Sequence, residues 1–228
     1  MNIPDYEQDI CRDTLKIVKQ YDIPLKTVID IGAHVGYFSI PTALHADIVY
    51  AIEPAMDNYW NLVNNIFDDN LTKKIFPIHV AIWNDKDEVE IGHVPNGNSG
   101  QYIVFPGNRD NKSTVKAITF PKLIDMVGNV DYLKIDIEAG EFNIFPPIDE
   151  IKRALSNVNI LELSIHAQWQ AEFFDKQGAI EFSAYKDLEN SEHDLIQFLA
   201  GCGFKLKRDD GNGLIYHGFN SNFKKENK

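Results

Sequence analysis

Apolar positions along the chain fall into two patterns, short continuous runs and stripes with helical spacing. Runs of about four to eight apolar residues predict strands, and apolar residues three or four positions apart predict amphipathic helices. The predicted strands comprise residues 28–31, 48–52, 74–82, 130–137 and 158–165 and a terminal hairpin of 204–208 and 214–219. Helical stripes lie before the first strand, over residues 5–21, and between the strands. Strands that alternate with helices predict an α/β fold built on a mostly parallel, Rossmann-like sheet.

One segment departs from this alternation and predicts a small β elaboration. Residues 88–93, 101–104 and 113–118 alternate between apolar and polar side chains, as half-buried antiparallel strands do. The segments between them are rich in Gly, Pro and Asn, which favour turns. We therefore expect a single domain over residues 1–228, with an inserted elaboration at about 86–118 and a polar tail at 220–228.

Two further patterns are interpreted as structural. Lys134 and Glu162 lie inside otherwise apolar strands, where an unpaired charge is unfavourable, and we expect them to pair across the ladder. Ser191 is predicted to cap a helix that runs to Ala200. An apolar stripe in the second helix is expected to pack against the sheet, at Met56, Tyr59 or Trp60, Val63, and Ile66 or Phe67.

The segment Val28–Ser39 contains the first feature that indicates ligand binding. Its apolar strand is followed by a turn in which Gly32 and Gly36 allow the backbone to approach a ligand closely. The helix that follows presents free N–H groups at this turn. The spacing Asp-x-Gly-x-x-x-Gly differs from the Gly-x-Gly-x-x-Gly of dinucleotide-binding proteins and argues against a NAD-dependent dehydrogenase. Asp30, two residues before the first glycine, could bind the α-amino group of an amino-acid ligand.

A second carboxylate, Glu53, ends the next predicted strand and precedes Pro54. A carboxylate at this position can accept hydrogen bonds from both hydroxyl groups of a ribose. An amino-acid group at Asp30 and a ribose at Glu53 together describe S-adenosylmethionine. The third predicted strand ends near Ala81, whose small side chain would leave room for the adenine. The alternative is an ordinary strand–turn–helix unit with a surface glutamate.

Composition narrows the class of protein. The chain has 228 residues, 44% of them hydrophobic, and a formal net charge of −12, which argues against a nucleic-acid partner. No apolar run reaches the roughly eighteen residues of a transmembrane helix, and residues 1–21 lack the layout of a signal peptide. Cys11 and Cys202 are the two cysteines, so no disulfide framework is predicted. These features favour a cytoplasmic protein that does not insert into membranes.

Three motifs together resemble the FkbM family of S-adenosylmethionine-dependent O-methyltransferases, over roughly residues 27–219. They are Val28–Ser39, Glu53-Pro54 and Leu133–Glu141, the last being the most family-specific, and the strand Glu162–His166 follows. One departure is the order Ala139-Gly140, where the family usually has Gly before Ala. The resemblance implies a class I methyltransferase fold, a seven-stranded, mostly parallel sheet with a C-terminal antiparallel hairpin. It also implies methyl transfer to a hydroxyl, commonly on a sugar of a surface glycan (capsule or lipopolysaccharide) or on a natural product.

The cofactor site is expected at the carboxyl ends of the first, second and fourth predicted strands. The residues predicted to bind S-adenosylmethionine are Asp30, Gly32, Ala33, His34, Gly36, Phe38, Glu53, Pro54, Ala81 and Asp136.

The predicted catalytic residues are Asp136 and Glu138, after the fourth strand, and His166, after the fifth. His166, with an ordinary pKa of about 6.5, is the first choice for the base that deprotonates the acceptor; a purely structural histidine is the alternative. The same three side chains could instead hold a divalent cation such as Mg²⁺ or Mn²⁺. Asp136 could also orient the sulfonium side of the cofactor.

The expected partner is a small-molecule or glycan acceptor. Loops at 96–101 and 108–112, with Trp169 and Phe173, are the predicted acceptor wall. Alternatives are a methyltransferase for a non-carbohydrate small molecule, one for nucleic acid or protein, and a cofactor-binding homologue without activity. The sequence predicts neither the acceptor nor the oligomeric state.

Overall fold

Two β-sheets form the framework of the protein. The computed structural model describes residues 16, 18, 24–84, 86–93, 102–104, 112–137, 140–146, 148–165, 188–208 and 215–222. The strands are β1 Thr27–Ile31, β2 Ile48–Ile52, β3 Ile75–Ile78, β4 Ala81–Ile82, β5 Glu88–His93, β6 Tyr102–Val104, β7 Lys112–Ile118, β8 Val130–Ile135, β9 Val158–Ser164, β10 Phe204–Arg208 and β11 Ile215–Asn220. The helices are α1 Ser39–Ala43, α2 Met56–Asp68, α3 Phe120–Val127, α4 Glu141–Ile144, α5 Asp149–Leu155 and α6 Leu188–Gly201.

The larger sheet has seven strands in the order β3-β2-β1-β8-β9-β11-β10. Neighbouring strands from β3 to β9 are parallel, and β11 is antiparallel to both β9 and β10. This confirms the predicted mostly parallel sheet with a C-terminal antiparallel hairpin. The strand order reverses between β1 and β8, and the crevice at the carboxyl ends of such strands is where open α/β sheets bind ligands.

Alternate residues of the central strands enter two different apolar cores. Ile29, Leu133 and Leu161 belong to one buried cluster, whereas Val28 and Tyr132 belong to another. A parallel sheet needs cover on both faces, which explains the nearly continuous apolar runs of β1, β8 and β9. Asp30, Lys134 and Glu162 lie near the carboxyl ends of these strands, on the same face as Val28 and Tyr132.

A second sheet of four strands has the order β4-β7-β5-β6 and contains the predicted elaboration. The prediction of one continuous strand over residues 74–82 is wrong, because β3 pairs with β2 in the larger sheet and β4 pairs with β7 in the smaller one. The chain turns between them, where Val80 N–H donates to the carbonyl of Ile78 at 3.2 Å. Pro77, which has no N–H, lies in the edge strand β3, a position that tolerates proline.

Two helix predictions also differ from the structure. Helix α6 begins at Leu188, so Ser191 lies inside the helix and not at its start as predicted. In α2 the buried face is formed by Asn58, Leu62 and Ile66. Leu62 packs beneath the glycine turn, since a Cβ on Gly36 would lie 2.8 Å from Leu62 Cδ1.

Because the buried face of α2 differs from the predicted one, three residues named in the predicted core stripe lie on the surface. Met56, Trp60 and Phe67 are 49%, 56% and 72% exposed. The stripe prediction is therefore wrong for Met56. At the two positions where it gave alternatives, Tyr59 is half-buried and Ile66 is buried, and Val63 is half-buried as well.

Several predicted features lie outside the described residues. They are most of the helix over 5–21, the catalytic candidates Glu138 and His166, the loop residues 96–101 and 108–111, and the aromatic residues Trp169 and Phe173. In the part of the chain that is described, no helix is long and apolar enough to span a membrane.

Candidate functional site

The glycine turn after β1 connects the ends of three strands. Gly32, His34 and Gly36 have φ angles of +86°, +52° and +97°. His34 is a non-glycine residue in the left-handed region, which is unfavourable by roughly 1–2 kcal/mol for a residue with a side chain. A Cβ on Gly32 would lie 1.9 Å from the carbonyl oxygen of Asp136, so this turn packs directly against the backbone that follows β8.

Backbone hydrogen bonds hold the turn in this position. The N–H groups of Gly32 and Ala33 both donate to the carbonyl of Ile52, each at 3.0 Å. The N–H of Asp136 donates to the carbonyl of Ile31 at 3.0 Å. The turn is thereby attached to β2 on one side and to the end of β8 on the other.

Glu53, immediately after β2, folds back onto this turn. Its Oε2 accepts a hydrogen bond from His34 N–H at 2.8 Å, and its Oε1 accepts one from Ala55 N–H at 2.8 Å. The residue is 5% exposed, and burial raises the pKa of Glu53 from 4.5 to about 7 against the opposing effect of these N–H groups and of the Asn58 side chain. A carboxylate so buried gains from further hydrogen-bond donors.

Asp30 has no exposed surface and lies among side chains rather than backbone amides. Ser39 Oγ donates to its Oδ2 at 2.7 Å, and Lys134 Nζ lies 3.7 Å from its Oδ1. Burial raises the pKa of Asp30, and the Lys134 ammonium opposes this shift. Among the described residues no donor reaches Oδ1 within hydrogen-bonding distance.

Lys134 joins the carboxylates on the two sides of the turn. Its Nζ lies 3.4 Å from Asp136 Oδ2 as well as 3.7 Å from Asp30 Oδ1, and 5.6 Å from the centroid of the Phe38 ring. The predicted partner, Glu162, is the register neighbour of Lys134 on β9 and accepts a hydrogen bond from the Tyr132 hydroxyl. The Lys134 ammonium, which was predicted to pair with Glu162 across the strands, therefore also lies at the candidate site.

The His34 side chain lies at the same edge of the sheet. Its ring is half-buried, with the ring centroid 5.6 Å from that of Tyr37. Burial lowers the pKa of His34, the nearby Lys134 lowers it further, and Asp136 opposes both effects. The lowered pKa favours the neutral form of the imidazole.

The other residues predicted to bind the cofactor differ in their surroundings. Phe38 is buried below Lys134, and Ala81 is buried in the core of the smaller sheet. Pro54 is half-buried, and its carbonyl oxygen lies 2.9 Å from Nε2 of His79. Direct contact of Phe38 and Ala81 with a ligand stays a prediction, since both are almost without exposed surface.

The predicted catalytic group is only partly described. The side chain of Asp136 is 26% exposed and faces Lys134. Glu138 and His166 are not among the described residues, so their convergence with Asp136 stays a prediction. Within the described ranges, no group of three or more His, Cys, Asp or Glu side chains could hold a metal ion.

Sequence reasoning missed four contributions to the site: Ser39 and Lys134 beside Asp30, and His34 N–H and Asn58 beside Glu53. The signal for Ser39 was its place at the end of the glycine segment, where a helix begins. The signal for Lys134 was a buried cation in register with Asp30 on the neighbouring strand.

Comparison with known proteins identifies the family. The model of the FkbM methyltransferase domain matches residues 30–206 of the chain. No curated protein sequence matches significantly.

Among solved structures, the FkbM methyltransferase from Methylobacillus flagellatus aligns with a TM-score of 0.50 and 17% identity, over 85% of this chain and 43% of its own. This chain therefore spans less than half of that protein. Magnesium protoporphyrin IX methyltransferase from Synechocystis, with bound S-adenosylhomocysteine, aligns with a TM-score of 0.52 and 15% identity, over 95% of this chain and 83% of its own. An O-methyltransferase from Bacillus cereus in complex with the same ligand aligns with a TM-score of 0.51 and 10% identity, over 96% of this chain and 82% of its own. At these identities the structural matches show the class I methyltransferase fold. The family match covers most of the chain, and the protein belongs to the FkbM methyltransferase family.

Proposed function

We propose that this protein is an S-adenosylmethionine-dependent O-methyltransferase that methylates a hydroxyl group of a sugar, in the biosynthesis of a glycan or of a natural product. The observation that carries the proposal is the pair of buried carboxylates, Asp30 and Glu53, at the ends of neighbouring strands with a glycine turn between them. In a chain of a methyltransferase family, these two groups suit the amino-acid end and the ribose of one ligand.

The residues present fit this cofactor. Asp30 Oδ1 lacks a hydrogen-bond donor among the described residues, and an α-amino group would supply one. Burial holds the pKa of Glu53 near 7, and two ribose hydroxyls would donate to the carboxylate and favour its ionised form. Two of the structural neighbours contain S-adenosylhomocysteine, which has the same nucleoside and amino-acid groups.

When bound, S-adenosylmethionine supplies a methyl group on a positively charged sulfonium sulfur. The chain's part is first to bind and orient, because alignment of the reacting atoms supplies much of the rate of a displacement. Asp30 is assigned to the α-amino group, Glu53 to the ribose, and Asp136 to the sulfonium side. The backbone of Gly32, Ala33, His34 and Gly36 surrounds the ligand, with Phe38, Pro54 and Ala81 at the margins of the site.

The acceptor hydroxyl needs a base, since it is a poor nucleophile at neutral pH. We assign this role to His166, with Asp136 and Glu138 orienting the acceptor. A divalent cation held by the same three residues is the alternative way to activate the hydroxyl. Dialysis against EDTA followed by Mg²⁺ or Mn²⁺ distinguishes the two, because full activity after chelation contradicts the metal alternative.

An acceptor other than a sugar is the second candidate. One structural neighbour is a magnesium protoporphyrin IX methyltransferase, which shows that this fold also serves non-carbohydrate acceptors. The resemblance of the Leu133–Glu141 motif to the FkbM O-methyltransferases favours the sugar hydroxyl.

The deciding experiment incubates the purified chain with methyl-labelled S-adenosylmethionine and a panel of sugar nucleotides, glycan fragments and phenolic small molecules. Mass spectrometry detects the methyl gain. Methylation of a sugar hydroxyl is the expected result, and His166→Ala is expected to lose turnover while keeping cofactor affinity. Methylation of phenols alone would replace the sugar with the second candidate. Cofactor binding without transfer to any acceptor would indicate a non-catalytic homologue and overturn the proposal.

A further inference from the structure

Lys134 is a buried ammonium shared between two carboxylates of the site. The residue is 3% exposed, and its Nζ lies 3.7 Å from Asp30 Oδ1 and 3.4 Å from Asp136 Oδ2. Asp30 belongs to β1 and Asp136 follows β8, so one cation connects the two strands on either side of the strand-order reversal.

The surroundings of Lys134 hold its side chain in one place. The Phe38 ring lies 5.6 Å from Nζ and is itself stacked on Tyr132, with ring centroids 6.0 Å apart. On the sheet, Lys134 is in register with Asp30 on β1 and with Glu162 on β9. A buried ammonium is stable only in the company of negative charge, and here that charge is at the site itself.

The two carboxylates differ in exposure. Asp30 has no exposed surface, whereas the Asp136 side chain is 26% exposed. The backbone of Asp136 also meets the glycine turn, because a Cβ on Gly32 would lie 1.9 Å from its carbonyl oxygen. The amino-acid end of the site is thus built from two side chains that share one lysine, with the Ser39 hydroxyl as a further partner of Asp30. At the other end, Glu53 is held by the backbone N–H groups of His34 and Ala55.

We propose that Lys134 is a positioning residue for the amino-acid end of the ligand: it orients Asp30 and Asp136, and it has no part in binding the nucleoside. The inference rests on the proposed cofactor site. It adds that Lys134 affects the affinity only of ligands that carry the amino-acid group. A lysine with a purely structural role would instead affect every ligand of the pocket alike.

The test compares two ligands by isothermal titration calorimetry on the full chain. S-adenosylhomocysteine carries the nucleoside, the sulfur and the amino-acid group, whereas 5′-methylthioadenosine carries the nucleoside and the sulfur but no amino-acid group. The variants are Lys134→Met, which removes the ammonium but keeps most of the side-chain volume, and Lys134→Arg, which keeps the charge. Lys152→Met is the matched control, since Lys152 is an exposed lysine that pairs with Asp149 and is not among the residues assigned to the site.

Lys134→Met is expected to weaken binding of S-adenosylhomocysteine at least about tenfold, the effect of disturbing a charged hydrogen-bonding pair, and to change binding of methylthioadenosine by less than about twofold. Lys134→Arg is expected to recover most of the loss, and Lys152→Met to match the wild type. Equal weakening of both ligands in Lys134→Met, or no weakening of either, overturns the proposal.

A third substitution decides the question if Lys134→Met does not fold, as judged by circular dichroism. Asp136→Asn removes the more exposed partner of Lys134 and leaves the buried pair with Asp30. It is expected to weaken S-adenosylhomocysteine selectively, by about threefold or more, and equal effects on both ligands overturn the proposal. If the wild-type chain binds neither ligand, the proposed cofactor itself is wrong, which is a different result from equal weakening in a variant.

Discussion

Asp30 and Glu53 are two buried carboxylates at the ends of adjacent strands, and they are stabilised in different ways. Around Asp30 the partners are side chains, the Ser39 hydroxyl and the Lys134 ammonium. Around Glu53 two of the partners are backbone N–H groups, those of His34 and Ala55. Burial raises the pKa of both carboxyl groups. The cost of burying the charge is therefore offset by side chains at Asp30, which mutation can replace. At Glu53 it is offset largely by backbone N–H groups, which mutation cannot replace.

The difference means that the two regions should respond differently to mutation. Side-chain partners can be removed one at a time, and each removal should change the amino-acid end alone. Backbone partners cannot be removed without moving the glycine turn, so the nucleoside end should fail mainly when the turn or Glu53 itself is changed, with Asn58 as the one side-chain partner named for Glu53.

The largest effect is expected for Gly32→Ala, which should disrupt both regions at once. The new Cβ would lie 1.9 Å from the carbonyl oxygen of Asp136, at a φ of +86° that disfavours any side chain. We expect loss of detectable binding of S-adenosylhomocysteine and a free energy of unfolding lowered by about 3 kcal/mol or more. Urea denaturation and calorimetry measure the two quantities. Gly201→Ala is the control, because a Cβ there meets no atom within 4 Å; a tolerated Gly32→Ala would contradict the packing described for the turn.

The next effect separates the two carboxylates. Glu53→Ala is expected to weaken both S-adenosylhomocysteine and methylthioadenosine at least about a hundredfold, because hydrogen bonds to a charged acceptor contribute about 1.5–3 kcal/mol each. Asp30→Ala is expected to abolish binding of S-adenosylhomocysteine and to leave methylthioadenosine nearly unchanged. Near-normal affinity for S-adenosylhomocysteine in either variant would count against the assigned orientation of the ligand.

A smaller effect, about tenfold, is expected from pH. With the pKa of Glu53 at about 7, the ionised form increases as the pH rises from about 6 to about 8. This is the form proposed to accept hydrogen bonds from the ribose hydroxyls, and nucleoside affinity should rise with it. A raised pKa also means that the folded protein holds this proton more tightly than the unfolded chain does. The contribution of Glu53 to the free energy of unfolding should thus fall by about 3 kcal/mol as the pH rises from 4.5 through about 7.

Glu53→Gln provides the reference for this measurement, because it cannot titrate. The difference between wild type and variant isolates Glu53 from His34, whose lowered pKa acts on stability in the opposite direction. A wild-type affinity profile as flat as that of the variant would show that Glu53 does not titrate in this range.

The smallest effect is expected for Ser39→Ala, which removes one neutral donor from Asp30. The buried Oδ2 would lose its hydrogen bond of 2.7 Å, and the free energy of unfolding should fall by about 1–3 kcal/mol. Affinity for methylthioadenosine should not change. Ser156→Ala, at an exposed hydroxyl that donates to the Arg153 carbonyl, is the matched control and should be almost neutral. An equally neutral Ser39→Ala would show that Lys134 alone supports Asp30.

The framework of the fold could be predicted where the apolar pattern is local. Ile48–Ile52 and Phe204–Arg208 have the bounds that their apolar and alternating patterns predict. The strand over 74–82 could not be resolved into two, since both pieces are apolar and only pairing with β2 or β7 distinguishes them. The buried face of α2 was predicted only in part, because Leu62 and not Met56 packs under the glycine turn.

The candidate site could likewise be predicted only in part. The places of Asp30 and Glu53 at adjacent strand ends could be predicted, because parallel strands align their carboxyl ends. The partners could not, because Lys134 reaches Asp30 from a strand distant in sequence, and His34 reaches Glu53 through its main chain. The residue types show which side chains are charged. Only the register of the paired strands shows which of these side chains are neighbours.

The close approach of Gly32 to the backbone of Asp136 has a mechanical consequence. No side chain fits between the turn and the segment after β8, so a shift of one is transmitted to the other. The amide of Asp136, which donates to the Ile31 carbonyl at 3.0 Å, spans this contact. We therefore expect the hydrogen-exchange rate of this amide to slow when a ligand holds the turn in place.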